Sequence, residues 1–303
     1  MKKFLSLLLV FSIIAVSCGT TAFCAVDTMY EDSKFYSFGD YEIHYRIIPH
    51  KGEFKGRIMM LHGFLCSTYA WRNMADTLSK AGYECVLADL PNFGYSTRET
   101  PETKITDREE LIIGLMNSID PNGKWIVAGH SMGGGVATNI AQEKELSALL
   151  LYCPAPQSTM PEGMNKIMNN SVMRFIMENF FKYGTRISFL VRIFVSAATR
   201  NLDFAKEYDL KGLTDPFNYE GIGSGMCQMM TTVRPTALET ADKIKCPVLL
   251  INADGDIIIS ESMENAFKEA FPDAEKHTVE GGHQCIEDRS DVLCEITLEF
   301  LQK

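Results

Sequence analysis

Trp125-Ile126-Val127-Ala128-Gly129-His130-Ser131-Met132-Gly133-Gly134 decides how the chain is read, because an apolar run passes straight into glycines that surround a serine. A short run that is apolar throughout has the pattern of a strand covered on both faces. Gly129, Gly133 and Gly134 allow the tight turn that must follow, and a helix opens at Met132. A serine on such a turn stands above the edge of a sheet with its hydroxyl exposed. The next amide then points at a bound carbonyl, and the helix N-terminus favours developing negative charge. Small residues also let helix and strand pack closely, so the turn by itself leaves both readings open.

Outward from this stretch the same alternation recurs. Arg57-Ile58-Met59-Met60-Leu61 is an apolar strand that breaks at His62-Gly63. Thr68 is placed to cap a helix through about Lys80 that Gly82 ends, and residues 83–88 form the next buried strand. Thr106 and Glu109 have capping-box spacing and predict a helix to about Ile119. Further strands are predicted at 149–152, 248–251 and 276–279, with helices from about Glu261 and Asp291. Residues 34–38 and 41–48 read as an opening hairpin around Gly39-Asp40. Strands alternating with helices predict an α/β chain with a mostly parallel, doubly wound sheet. Residues 155–244 break the rhythm, being helical and rich in Met and Phe. The predicted organisation is a core of residues 26–156 and 244–303 with a helical cap, 157–243, inserted between its strands.

A serine nucleophile needs a base, and the chain has six histidines. His44 and His50 belong to the opening hairpin, His62 to the loop after a strand, His130 to the elbow and His277 to a strand. His283, in Gly281-Gly282-His283 after the last strand, is free to reach back over the sheet. The imidazole needs a carboxylate to hold its tautomer, and Asn252-Ala253-Asp254-Gly255-Asp256 supplies two. Asp256 is preferred, because Asp254-Gly255 reads as the turn leaving the strand. His62-Gly63-Phe64 brings a loop toward the reacting centre, where the Phe64 and Met132 amides form an oxyanion hole and His62 braces the loop.

In their order along the chain, His62-Gly63-Phe64, Asp89-Leu90-Pro91-Asn92-Phe93-Gly94-Tyr95-Ser96, the GHSMGG elbow, Asp256 and His283 resemble the α/β-hydrolase superfamily. The resemblance covers residues from about 31 to 156 and 244 to 303. It implies a Ser131–His283–Asp256 triad and the same oxyanion donors. Asn92 departs from the usual D-x-P-G-x-G-x-S pattern at a position that often takes positive φ, a conformation asparagine tolerates. The resemblance does not choose among the many chemistries of this fold. The expectation is hydrolysis of a carboxylic ester with an apolar acyl or alcohol part through an acyl-enzyme. The alternatives are a capped carbon-carbon bond hydrolase and, from another class, a non-catalytic protein that binds a small lipid or signal.

Composition sets the remaining bounds. With 303 residues, 46% hydrophobic and 22% charged, the chain buries a large core and is not a disordered segment. A net charge of −10, from 29 basic and 39 acidic residues, argues against a nucleic-acid partner. Nine scattered cysteines without zinc spacing predict small core residues rather than a disulfide framework, and no metal or organic cofactor is expected. Lys2 and Lys3 before the apolar run 4–16 predict a signal peptide within residues 1–25 and export. Ala15-Val16-Ser17-Cys18 resembles a lipoprotein cleavage box, which would attach the protein to a membrane through Cys18, whereas Ala22-Phe23-Cys24 offers ordinary cleavage. Arg174, Lys182, Arg186, Arg192 and Arg200 punctuate the apolar insertion, either as solvated helix faces or as groups facing anionic lipid. Gly221 to Gly225 read as a turn or hinge within it.

Overall fold

The computed structural model describes residues 28–157, 162–232 and 235–303. The segment expected to be a signal peptide, with Cys18, lies outside the described residues. The apolar runs are strands: β3 (Gly56–Leu61), β4 (Tyr83–Ala88), β5 (Trp125–His130), β6 (Ala148–Tyr152) and β7 (Val248–Ala253). With β1 (Lys34–Phe38), β2 (Tyr41–Ile48) and β8 (Glu275–Val279) they form one eight-stranded sheet in the order β1-β2-β4-β3-β5-β6-β7-β8. Pairing is parallel from β4 through β8, and β2 runs against both of its neighbours.

Alternate residues of each strand feed two separate apolar layers, as the period of a pleated strand requires. Met59, Leu61, Val127, Leu149 and Leu151 face one layer. Ile58, Met60, Ile126, Ala128 and Leu150 face the other. The helices α1 (Arg72–Lys80), α2 (Arg108–Ile119), α3 (Met132–Glu143), α10 (Glu261–Ala270) and α12 (Ser290–Phe300) cover the faces, and a short α11 (Cys285–Asp288) precedes the last. The chain leaves β3 toward β4 and returns to β5 on the other side. This reversal opens a crevice at the carboxyl ends of β3 and β5.

Two helix starts differ from expectation. Ser67, not Thr68, accepts the capping bond, from the Tyr69 amide, and a 3₁₀ turn over Thr68–Trp71 precedes α1. Asp107, not Thr106, holds the cap position of α2; Glu109 is buried and accepts from Asn139 Nδ2 instead of reaching back to a capping-box partner.

Between β6 and β7 lie α4 (Glu162–Met168), α5 (Ser171–Gly184), α6 (Ser188–Thr199), α7 (Leu202–Glu207), α8 (Leu210–Thr214) and α9 (Ile222–Thr231). The glycine run belongs to α9 and its cap rather than to an open loop. A Cβ on Gly223 would meet the backbone of Glu178 in α5, and one on Gly225 would lie 2.7 Å from Asn92 Oδ1. Glycine thus lets α9 cross α5 at backbone contact and rest on the loop after β4.

Asp89, at the end of β4, organises that loop. Its Oδ1 accepts from the Thr68 amide at 2.6 Å, and its Oδ2 accepts from the Tyr95 amide at 2.9 Å and faces His44 Nδ1 at 2.7 Å. A Cβ on Gly94 would occupy the carboxylate's place. Asn92 has φ 75° and closes the loop onto Glu99, as its position in the sequence leads one to expect. Burial raises the Asp89 pKa, but His44 and the amides outweigh it and hold the group at about 2. A carboxylate depressed from 3.8 to about 2 contributes about 2 kcal/mol of stability above pH 4 that is lost as pH falls toward 2. Denaturant titration of Asp89→Asn at pH 7 is expected to show a loss of about 3 kcal/mol, since a buried network loses its anion. The difference from wild type narrows toward pH 2.

Candidate active site

Ser131 sits between β5 and α3 with φ 52° and ψ −121°, a conformation that L-residues rarely adopt. Three backbone bonds impose it. The Ser131 amide donates to Tyr152 O at 3.0 Å, and Ser131 O accepts from the Gly134 and Ala155 amides at 2.8 and 2.9 Å. The glycines make the turn possible: a Cβ on Gly129 would strike the Gly133 carbonyl, and one on Gly133 would strike the Leu61 carbonyl.

The structure brings Ser131, His283 and Asp256 together from three different connections. His283 Nε2 is 2.8 Å from Ser131 Oγ, and His283 Nδ1 is 2.6 Å from Asp256 Oδ2. A carboxylate only accepts, so Nδ1 carries the ring proton and Nε2 is left to accept from the serine hydroxyl. Asp256 Oδ1 accepts from the Ile258 and Ile259 amides at 2.8 and 2.9 Å, which fixes the carboxylate. Burial pushes the Asp256 pKa up, and the hydrogen bond and charge of His283 with the two amides more than reverse this, holding it below the usual carboxylate value. Asp254, the other candidate, serves the turn, where its Oδ1 accepts from the Gly281 amide at 3.1 Å.

The flanking histidines are structural. His62 Nε2 accepts from the Leu90 amide at 3.0 Å, so its Nδ1 donates to Gly63 O at 2.7 Å and braces the Phe64 loop. Burial lowers its pKa and keeps it neutral. A Cβ on Gly63 would lie 2.8 Å from His130 Nδ1 and 3.1 Å from Ser131 Cβ, so this loop approaches Ser131 as closely as backbone allows. The Phe64 and Met132 amides donate to no backbone carbonyl among the described residues. His130 donates from Nε2 to His283 O at 2.9 Å and so holds the histidine loop. Burial first, then the nearby His283, push its pKa down to about 3. Sequence reading missed this contact, because nothing in the pattern marks the second elbow position as a clamp.

A second serine–histidine–aspartate chain exists: Ser33 Oγ is 2.8 Å from His44 Nε2, whose Nδ1 faces Asp89. It lacks the setting of the first, since Ser33 has no positive φ and precedes a strand instead of a helix. Its aspartate is committed to the loop after β4. One group of side chains among the described residues could converge on a cation: Cys153, Asp256 and His283, whose ligand atoms lie within 4.8 Å of one another. Two of these three are already hydrogen-bonded together. The seven described cysteines are free thiols, five of them buried, in keeping with core roles.

The cleft beside the Phe64 loop, lined by Leu65, Phe93, Leu213, Phe217 and Ile222 among others, holds about 10 Å³. A groove of about 510 Å³ is lined by Gly56, Trp125 and Ala148 at the amino ends of their strands, at the opposite edge of the sheet from Ser131. Its size does not make it the reaction site, because it contains none of the three converging side chains.

Residues 52–289 match the family model described as serine aminopeptidase, S33. A protein named "Putative non-heme chloroperoxidase" from Synechocystis sp. is 23% identical over 264 residues, 81% of this chain and 91% of that protein. A shorter stretch of 91 residues is 35% identical to the AB hydrolase superfamily protein YfhM of Bacillus subtilis, over 29% of this chain and 31% of that protein. The solved enol-lactonase from Burkholderia xenovorans LB400 superposes with a TM-score of 0.69 at 16% identity, covering 89% of this chain and 100% of that one. The expected fold is the one observed.

The short His283–Asp256 bond has a direct signature. Proton NMR is expected to show a far-downfield imidazole resonance in wild type and Asp254→Asn, and to lose it in Asp256→Asn. Loss in Asp254→Asn alone would reverse the assignment of the acid.

Proposed function

Because the chain belongs to the serine aminopeptidase S33 family within the α/β-hydrolase superfamily, we propose that it is a serine hydrolase that cleaves carboxylic esters with an apolar acyl or alcohol part. The observation that carries this reading is the unbroken hydrogen-bonded chain from Ser131 Oγ through His283 to Asp256, anchored by two amides. Ser131 Oγ attacks the carbonyl carbon while His283 Nε2 takes its proton. The Asp256 carboxylate stabilises the imidazolium that forms. The Phe64 and Met132 amides receive the negative charge that builds on the carbonyl oxygen. His283 then returns the proton to the departing alcohol, and water repeats the sequence to free Ser131 and the acid. An apolar substrate part is proposed from the Met- and Phe-rich segment inserted between β6 and β7. The enol-lactonase likeness agrees with ester chemistry. The reading extends to an exported protein, on the basis of Lys2, Lys3 and the apolar run after them.

Steady-state hydrolysis of p-nitrophenyl esters of increasing acyl length provides the test. Ser131→Ala and His283→Ala are each expected to lose about a thousandfold or more in kcat with unchanged folding. Undiminished turnover in Ser131→Ala would sink the proposal. Cleavage of diketone substrates in preference to all esters would transfer the same residues to carbon-carbon bond hydrolysis.

A further inference from the structure

We propose that the outer face of the inserted helices docks on an anionic lipid surface. More than half of the exposed large hydrophobic side chains among the described residues fall between positions 167 and 202. On α5, Val172, Phe175 and Ile176 share one face at helical spacing, with Val172 63% and Phe175 70% exposed. On α6, Phe189 and Ile193 do the same, and Phe189 is 71% exposed. The opposite faces are the packed ones: Phe181 of α5 joins the main core, and Val191 and Val195 of α6 pack with Tyr69, Ala205 and Tyr208. Both helices therefore turn an apolar face outward after their packing needs are met. Exposed apolar helix faces of this kind mark an interaction surface.

Charge selects the partner. Between residues 163 and 200 there are six basic side chains and one acidic, Glu178, in a chain whose net charge is −10. Arg174 and Arg192 are tied inward, to Ser224 and to the Ala205 carbonyl. Lys166, Arg186 and Arg200 are exposed. At the corner between α5 and α6, Lys182 and Arg186 lie 5.8 and 5.4 Å from the Tyr183 ring centre. Exposed apolar side chains mixed with cations and an amphipathic ring suit the boundary between acyl chains and anionic headgroups. A second copy of this face would set cation against cation. The remaining surface is more acidic still and is repelled by the same membrane, so docking has one orientation.

That orientation bears on the site. The Ala198 and Thr199 carbonyls at the end of α6 accept from the Gln284 and Gly282 amides at 2.9 and 3.0 Å, on either side of His283. A surface that holds α6 therefore holds the helix that frames the histidine loop. The proposal does not depend on hydrolysis and stands or falls on binding.

The test is co-flotation of the full chain with vesicles of phosphatidylglycerol or of phosphatidylcholine. It is run in a Cys18→Ser background so that an acyl anchor cannot mask the face. The expected result is binding to the anionic vesicles that weakens with salt. Lys166→Glu/Arg186→Glu is expected to weaken it about tenfold or more, and Phe175→Ser/Phe189→Ser to a similar degree. Circular dichroism verifies folding, and turnover of a soluble ester stays at the background level. Equal binding by wild type and both double variants would overturn the proposal, as would binding to neither vesicle. Concentration-dependent self-association that both double variants abolish, without vesicle binding, would assign the face to a second copy of the chain instead.

Discussion

The backbone of Ser131 is the constraint on which the site depends. A residue held at φ 52° and ψ −121° is strained, at a cost of order 1–3 kcal/mol, and persists only where its surroundings over-determine it. Here three backbone hydrogen bonds fix the residue from β6, the loop after it and α3, and glycines at 129 and 133 remove the side chains that would collide. The product of this strain is a hydroxyl raised above the strand ends, with the first amide of α3 beside it. Every other contact in the site is measured from that hydroxyl.

The surrounding histidines show how one residue type takes different work from its environment. His62 and His130 are buried and kept neutral by desolvation, and each spends a ring nitrogen on holding a loop: His62 the Phe64 loop, His130 the carbonyl of His283. His283 alone has a carboxylate on one nitrogen and the elbow serine on the other. Ser33, His44 and Asp89 reproduce the same donor-acceptor order, yet without an elbow or a helix N-terminus that chain organises a loop. Hydrogen-bond order is thus insufficient by itself; the strained turn distinguishes Ser131, the proposed nucleophile, from Ser33.

Much of this was legible in the sequence, for identifiable reasons. Buried parallel strands need continuous apolar runs, so Ile58 to Leu61 and Leu149 to Tyr152 declared themselves, and the glycines around Ser131 declared the turn. Asp256 could be preferred over Asp254 because a turn residue and a histidine partner have different places relative to Gly255, and the structure gives them those places. Asn92 at positive φ was readable from the one departure in its loop. What was not legible depends on contacts distant in sequence. The Glu109 side chain turned inward to Asn139, which removed the capping box at Thr106. The glycines of 221–225 suggested a loop, but they serve a helix crossing whose partner, Glu178, lies far earlier in the chain. The clamp from His130 to His283 joins two segments 153 residues apart and leaves no local pattern.

The central claim, that the strained elbow and its histidine make Ser131 the activated nucleophile, is tested most directly by covalent labelling. The folded protein is treated with a fluorophosphonate, and the adduct is located by intact mass and peptide mapping. A single adduct on Ser131, absent from His283→Ala, is the expected result. An adduct on Ser33, or none on a protein shown to be folded, would contradict the account.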